Sequence, residues 1–276
     1  MTALRLGTRG SALALAQARS VAALLPQPVE LVKITTAGDV DRLHGDKSRW
    51  VGALEAALLA GDIDLAVHSA KDVPGELAEG TEIVATPRRA QPFDAVVGDL
   101  REGARVGTSA LRRRAQLLAA RPDLDVVELR GNVDTRLAKH AAGEVDALVL
   151  AVAGLERLGR RDEASALLFD GVFVPAAGQG VIAVQGRAGS ELAAAADHGP
   201  THAALDEERE VVRALGASCH TPVGVLALDG SVRAFVGLPD GSEFLVEEAA
   251  TGAEVARRLL AAGAAEVLRA AEGTVR

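Results

Sequence analysis

The chain has 276 residues, a net charge of −8 and an apolar fraction of 49%, enough for two or three domains with cores of their own and unlike a disordered chain. An acidic chain with one Trp, five Phe and no Tyr lacks the basic stripes and stacking platforms of a nucleic-acid binder. No apolar run reaches membrane-span length, the opening MTALRLGTRG does not read as a signal peptide, and the single cysteine, Cys219, excludes an internal disulfide, so a reducing cytoplasm is expected.

In chain order, ALRLGT reads as a strand and SALALAQARSVAALL as a helix capped by Ser11. VELVKIT is the next strand, WVGALEAALLAG a helix closed by Gly61, and DIDLAVHS a strand. A second series repeats the rhythm: strand ARVGT into helix SALRRRAQLLAA, strand DVVELR into helix NVDTRLAKHAA, and strand DALVLA into helix VAGLERLG. Such alternation predicts two similar α/β lobes with parallel sheets. From about Ala203 the pattern changes to a helix, a hairpin around LALDGSVRAFVG with Asp229-Gly230 as its turn, the strand segment LPDGSEFLVEE, and a last helix from about Gly252 to Ala271. That tail reads as a small α+β domain. No sequence repeat and no low-complexity linker is evident, and the longest run of cations is Arg112–Arg114.

In open α/β sheets ligands sit beyond the carboxyl ends of strands, near helix N-termini. Those ends here carry Thr8, Arg9 and Ser11; then Ser69, Lys71 and Asp72; then Thr108, Ser109 and the arginine triplet; then Arg130 and Arg136. An acidic protein has collected its guanidinium forks at ligand positions, which points to a strongly anionic ligand. At 100° per residue the three arginines cannot share one face, so at least one of them is expected to be merely solvated. In AVHSAKDVP, an extended backbone would send Lys71 and Asp72 to opposite sides, with Pro74 biasing Val73 to extended geometry. His68 reads as a structural, hydrogen-bonded residue, and a lone cysteine is commonly a small buried hydrophobe. No phosphate-loop or dinucleotide fingerprint is present, and six scattered histidines with one cysteine offer no metal-ligand spacing.

Taken together, AVHSAKDVP, VGTSALRRRAQL, LRGNVDTRL, DALVLAVAGLERLG, PAAGQG and CHTPVG, in this order and across nearly the whole chain, resemble the porphobilinogen deaminase family. The resemblance implies two periplasmic-binding-protein-like lobes plus a small α+β C-terminal domain. Residues 1–92 and 175–200 would form the first lobe, 93–174 the second, and 201–276 the third domain with the cofactor cysteine. It implies a monomer that joins four porphobilinogen molecules head to tail, releasing ammonia, to give hydroxymethylbilane, with neither nucleic acid, membrane nor metal as partner. The growing chain is anchored on a dipyrromethane held by a cysteine thioether. By resemblance Cys219 is that anchor. Lys71, Thr108, Ser109, Arg112 and Arg113 would hold the cofactor, and Arg9, Ser11, Lys47, Ser69, Arg130, Arg136 and Arg157 the substrate or growing chain. Asp72 would be the catalytic carboxylate. Three places depart from the family's usual pattern. Ala110 replaces a second hydroxyl, GDKSRW puts Lys47 and Trp50 at the lid positions, and Ser218 and His220 flank the cysteine. Two other readings share the strand-end pattern: a bilobal binding or transport protein for an anionic ligand, and a ligand-sensing regulator lobe. The unpaired cysteine beside a turn argues against the first, and the lack of a segment for a DNA-binding helix pair against the second.

Overall fold

The structure, a computed structural model, describes residues 3–36, 48–217 and 221–274. The chain divides into two compact units, residues 1–90 with 180–205, and residues 91–179 with 206–276.

The first unit is an α/β lobe. Its strands are β1 (Leu4–Thr8), β2 (Val29–Lys33), β3 (Leu65–Ser69), β4 (Thr81–Ala85) and β10 (Ile182–Arg187), in the order β2-β1-β3-β10-β4. Helices α1 (Ala12–Ala22) and α2 (Ser48–Ala60) are the crossovers. Ser11 caps α1 as expected, its hydroxyl accepting from the Ala14 amide at 3.2 Å. The sheet separates two apolar clusters. Leu4, Leu6, Leu65, Val67, Ile182 and Val184 pack with Ala18 and Val21 of α1. Ala66 and Ile63 pack with Leu54 and Leu58 of α2. Strand alternation therefore assigns the odd residues of β3 to the α1 face and the even ones to the α2 face.

The second unit contains an α/β lobe of matching plan. Its strands are β5 (Asp94–Gly98), β6 (Arg105–Gly107), β7 (Asp125–Val127), β8 (Ala147–Ala151) and β9 (Ala166–Leu168), ordered β7-β6-β8-β5-β9. Helices α3 (Leu111–Ala120), α4 (Val133–Ala141) and α5 (Val152–Arg157) follow β6, β7 and β8. Val96, Val106, Val126 and Val149 pack with Leu117 on the α3 side, while Ala95, Val97, Leu148 and Leu150 pack with Leu137 and Leu155 on the other. The same unit holds helix α6 from Asp206 on (Gly199–Ala214 in full) and an antiparallel sheet of β11 (Val223–Leu228), β12 (Ser231–Gly237) and β13 (Phe244–Ala249), packed against α7 (Gly252–Ala261) and α8 (Ala264–Thr274). The β11–β12 turn is the expected Asp229-Gly230 pair, with φ of 52° and 78°, the mirror-image turn that suits strand twist.

Four expectations need correction. The sheets are mixed, not parallel: β10 runs antiparallel to β3 and β4, and β5 antiparallel to β8 and β9. The antiparallel strand in each case enters from the other unit rather than through a βαβ crossover, so the handed parallel connection does not constrain it. The final helix is two helices, parted at Ala262-Gly263, where Gly263 takes a φ of 98°. Lys71 and Asp72 lie in a single 3₁₀ turn, Ala70–Asp72, rather than in extended chain; Val73 beyond it is extended (φ −78°, ψ 130°), as its proline requires. Finally, a local repeat exists. The shared strand order aligns Gly7-Thr8 with Gly107-Thr108 at the ends of β1 and β6, each followed by Ser-Ala-Leu into a helix, with Arg9-Gly10 as a two-residue insertion in the first lobe. Both glycines lie where a Cβ would collide, with Ile63 Cδ1 at 2.4 Å and with Leu129 Cδ2 at 2.9 Å.

Candidate active site

In the first lobe the chain leaves β1 for one side of the sheet and β3 lies on the other, so the ends of β1 and β3 flank the point where connections diverge. Arg9 and Ser11 lie after β1, and Ser69, Lys71 and Asp72 at the end of β3; all five are half-buried. The alternation of β3 positions what surrounds them. Ser69 faces α1, where the buried amide of Gln17 donates to its hydroxyl at 2.8 Å, joining the two strand ends. Thr8, fully buried, donates to the Ala14 carbonyl at 3.2 Å. The 3₁₀ turn is held from below. The Ala70 amide donates to the Val181 carbonyl at 3.0 Å, and Ala70 and Val73 are buried with Val181, Ala183 and Leu205. Lys71 and Asp72 thus sit between two apolar anchors.

His68 faces the other way, toward α2. It is buried, and its Nε2 lies 3.0 Å from Gln185 Oε1. Burial pushes its pKa down to about 4 against the opposing pull of Gln185, so the ring is neutral near pH 7. This is the structural, hydrogen-bonded histidine expected.

In the second lobe, Arg112 and Arg113 do not project from the helix. They converge on Asp94, the first residue of β5, which shares the α3 face with Val96. Arg112 Nη2 reaches Asp94 Oδ2 and Arg113 Nη2 reaches Oδ1, both at 2.8 Å, with side-chain exposures of 6%, 7% and 5% for Arg112, Arg113 and Asp94. Arg112 also donates to the Val174 carbonyl at 2.8 Å, Arg113 to the Val149 carbonyl at 2.9 Å, and Gln179 to Asp94 Oδ1 at 2.9 Å. Burial alone would raise the Asp94 pKa; the two guanidiniums outweigh it and hold the carboxyl well below the usual range. Burial in turn lowers the pKa of Arg112, against the pull of Asp94. Two guanidiniums on one carboxylate leave this buried group with a net charge of +1.

The other sites of this lobe are mixed. Ser109, exposed, accepts from Arg136 Nη2 at 2.8 Å, so the structure brings these two together. Thr108 is buried, and its hydroxyl accepts from the Ala110 amide at 3.2 Å, which occupies one N–H at the start of α3 where Ala110 itself gives no side-chain cap. Arg130, exposed, pairs with Glu128 at 2.6 Å. Arg157 ends α5, half-buried, and burial lowers its pKa. Arg114 is not merely solvated: its Nη1 donates to the Val126 carbonyl of β7, because the helix turns it toward that strand. Lys47 and Cys219 lie outside the described residues. Sequence reasoning missed Asp94, Gln17, Glu55 and Gln185. Asp94 had a signal, a lone acid opening the apolar run DAVV; the amides had none.

Comparison with known proteins follows the same lines. The family model described as "Porphobilinogen deaminase, dipyromethane cofactor binding domain" matches residues 4–195. A porphobilinogen deaminase of Deinococcus radiodurans is 41% identical, covering 98% of this chain and 99% of its own. One from Thermus thermophilus is 43% identical (95% and 97%), and porphobilinogen deaminase 1 of Streptomyces coelicolor 45% identical (96% and 97%).

Proposed function

The chain belongs to the porphobilinogen deaminase family, and on that footing we propose which of its residues carry the reaction. The activity is that of a transferase of tetrapyrrole synthesis: porphobilinogen units are joined head to tail, each losing ammonia, to give hydroxymethylbilane, with a dipyrromethane as cofactor.

The observation that carries the site reading is the anchored 3₁₀ turn at the end of β3, which presents Lys71 and Asp72 beside the Arg9 and Ser11 end of β1. In each condensation the substrate's aminomethyl C–N bond breaks, ammonia leaves, a C–C bond forms and the attacked pyrrole carbon loses its proton. Positive charge develops on a pyrrole ring. Asp72 supplies the fixed negative charge that stabilises it, and its oxygens accept hydrogen bonds from pyrrole N–H groups. Lys71, Arg9, Ser11 and Ser69 hold the acetate and propionate side chains in the first lobe. Arg130, Arg136, Arg157 and Lys47 do the same for the lengthening product. Aligned, oriented carboxylates are what guanidinium forks recognise best.

The dipyrromethane fits the residues present. The Arg112–Arg113–Asp94 group keeps a net positive charge out of water, and an anionic ligand offsets that cost. Arg112, Arg113, Lys71, Thr108 and Ser109 would hold its carboxylates, and Cys219 its thioether. When bound, it supplies the nucleophilic pyrrole carbon on which the product grows. We further propose a monomer in the cytoplasm, with no nucleic-acid or membrane partner; among the described residues no helix is long and apolar enough to cross a membrane. The domain division at 1–92 with 175–200, 93–174 and 201–276 remains part of this reading.

Intact mass tests it. Protein expressed in a host that makes porphobilinogen should weigh two deaminated porphobilinogen units more than its chain, and Cys219→Ser should lose that increment. An unmodified parent mass would overturn the assignment.

A further inference from the structure

A hydrogen-bond chain centred on the buried pair His68 and Gln185 links the two sides of the β3 turn and is used by no step above. Gln185 on β10 spends both amide hydrogens, on Glu55 Oε1 of α2 at 2.9 Å and on Thr81 Oγ1 of β4 at 2.8 Å. Its oxygen is therefore the atom facing His68 Nε2 at 3.0 Å, so that nitrogen carries the ring proton and donates. Glu55 Oε1 also accepts from the Ala78 amide at 3.0 Å, and Thr81 Oγ1 donates to the Ala78 carbonyl at 2.7 Å. The two ends of this chain are His68 and Ala78. Between them lies the segment that contains Lys71 and Asp72.

Such an arrangement is an expensive way to fill a core. Gln185 is 1% exposed and His68 6%, and apolar side chains of similar volume at these positions would spare their desolvation. Directional bonds give something apolar packing does not, a single register for the backbone on either side of the turn. We propose that His68, Gln185, Glu55 and Thr81 are positioning residues for the condensation, fixing both ends of the Ser69–Leu77 segment so that Asp72 meets the reacting pyrrole in one orientation. The proposal rests on the site reading above, in which Asp72 is the catalytic carboxylate.

The test uses cofactor-loaded protein, verified by intact mass, with kcat and KM for porphobilinogen measured on variants shown to be folded. His68→Leu should lower kcat ten- to a hundredfold with KM changed less than threefold. His68→Gln, which keeps an N–H near the Nε2 position, should recover most of that loss. Thr81→Val, a small change on a half-buried strand position, should lower kcat three- to tenfold and serves if His68→Leu does not fold. Because the groups act as one chain, Thr81→Val made in the His68→Leu or His68→Gln background should cost less than it does alone. A kcat within threefold of the parent in Thr81→Val and in folded His68→Leu would overturn the proposal, as would equal losses in His68→Gln and His68→Leu. Asp72→Asn, run in parallel, separates this from failure of the site reading: turnover within a few-fold of the parent in Asp72→Asn would remove the reading itself.

Discussion

Asp94→Asn removes one charge from a site where that charge does two jobs. The carboxylate sits 2.8 Å from each of two guanidiniums, and all three side chains are nearly excluded from water. The parent group carries +1; the amide variant carries +2, with the single Asn oxygen, the Val174 and Val149 carbonyls and the Gln116 side chain accepting from the arginines. Removing one partner of a buried ion pair costs about 3–5 kcal/mol. Here one carboxylate serves two partners, so the upper part of that range applies, against a total stability on the order of 5–15 kcal/mol. At roughly 2–4 °C per kcal/mol for a chain near this size, the melting temperature should fall by about 10 °C or more. The measurement is urea and thermal unfolding of parent and variant, both in a Cys219→Ser background that carries no cofactor. The same pair is then compared with Cys219 intact. If Arg112 and Arg113 face dipyrromethane carboxylates, the loaded variant should lose less stability than the unloaded one. A loss under about 1 kcal/mol without cofactor would refute the electrostatic account of this cluster. Since the folded-state pKa of Asp94 is depressed, its contribution is present above the unfolded carboxyl pKa and disappears as pH falls through the folded value.

Asp72→Asn should fold and lose turnover, whereas Asp72→Glu should keep a small residual rate; near-parental rates for Asp72→Asn in a porphobilinogen assay would reduce Asp72 to a turn residue. His68 should make stability pH-dependent. Its folded pKa of about 4 lies below the unfolded value of 6.5, so the unfolded chain takes up a proton first and stability declines as pH falls across that window, by about 3 kcal/mol in all. Denaturant titrations from pH 7 to pH 4 should show that slope in the parent and a shallower one in His68→Gln. Gly7→Ala places a Cβ 2.4 Å from Ile63 Cδ1 and should cost about 1–3 kcal/mol. Ile63→Val removes that very methyl, so unfolding of the double variant should show a sub-additive loss.

Much of this was legible in the chain. Apolar periodicity and turn chemistry located β1, α1, β3, β6, β8 and the Asp229-Gly230 hairpin, since these elements obey local rules. The strand-end pattern singled out Arg9, Lys71 and Asp72, which the structure has just after β1 and β3. What escaped depends on contacts distant in sequence. Val184 pairs with Val67 across more than a hundred residues, and no local pattern reveals that β10 will run antiparallel there. Asp94 and the Arg112–Arg113 pair lie on different elements, so the triplet reads as a surface face until the fold turns two of its members inward. Gln185 is an ordinary polar residue until β10 brings it to His68, and Glu55 until α2 brings it to Gln185. The Gly-Thr echo between lobes was visible in the letters but masked by the two-residue insertion Arg9-Gly10.

The place of β10 in the first sheet bears on how the protein is made. It lies between β3 and β4, yet it is synthesised after the whole of the second lobe. While the ribosome works through residues 91–179, the first lobe has a gap in the middle of its sheet, with the edge of β3 uncovered and β4 held by no neighbour. The second lobe has no such gap, because β5 to β9 are contiguous in sequence. The first lobe therefore completes its sheet after the second lobe has completed its own, and Asp72 gains its backing only when Val181 and Ala183 arrive. Limited proteolysis of a chain ended at Gln179 should cut within residues 70–85 and spare 94–151; equal resistance of both stretches would contradict this order of assembly.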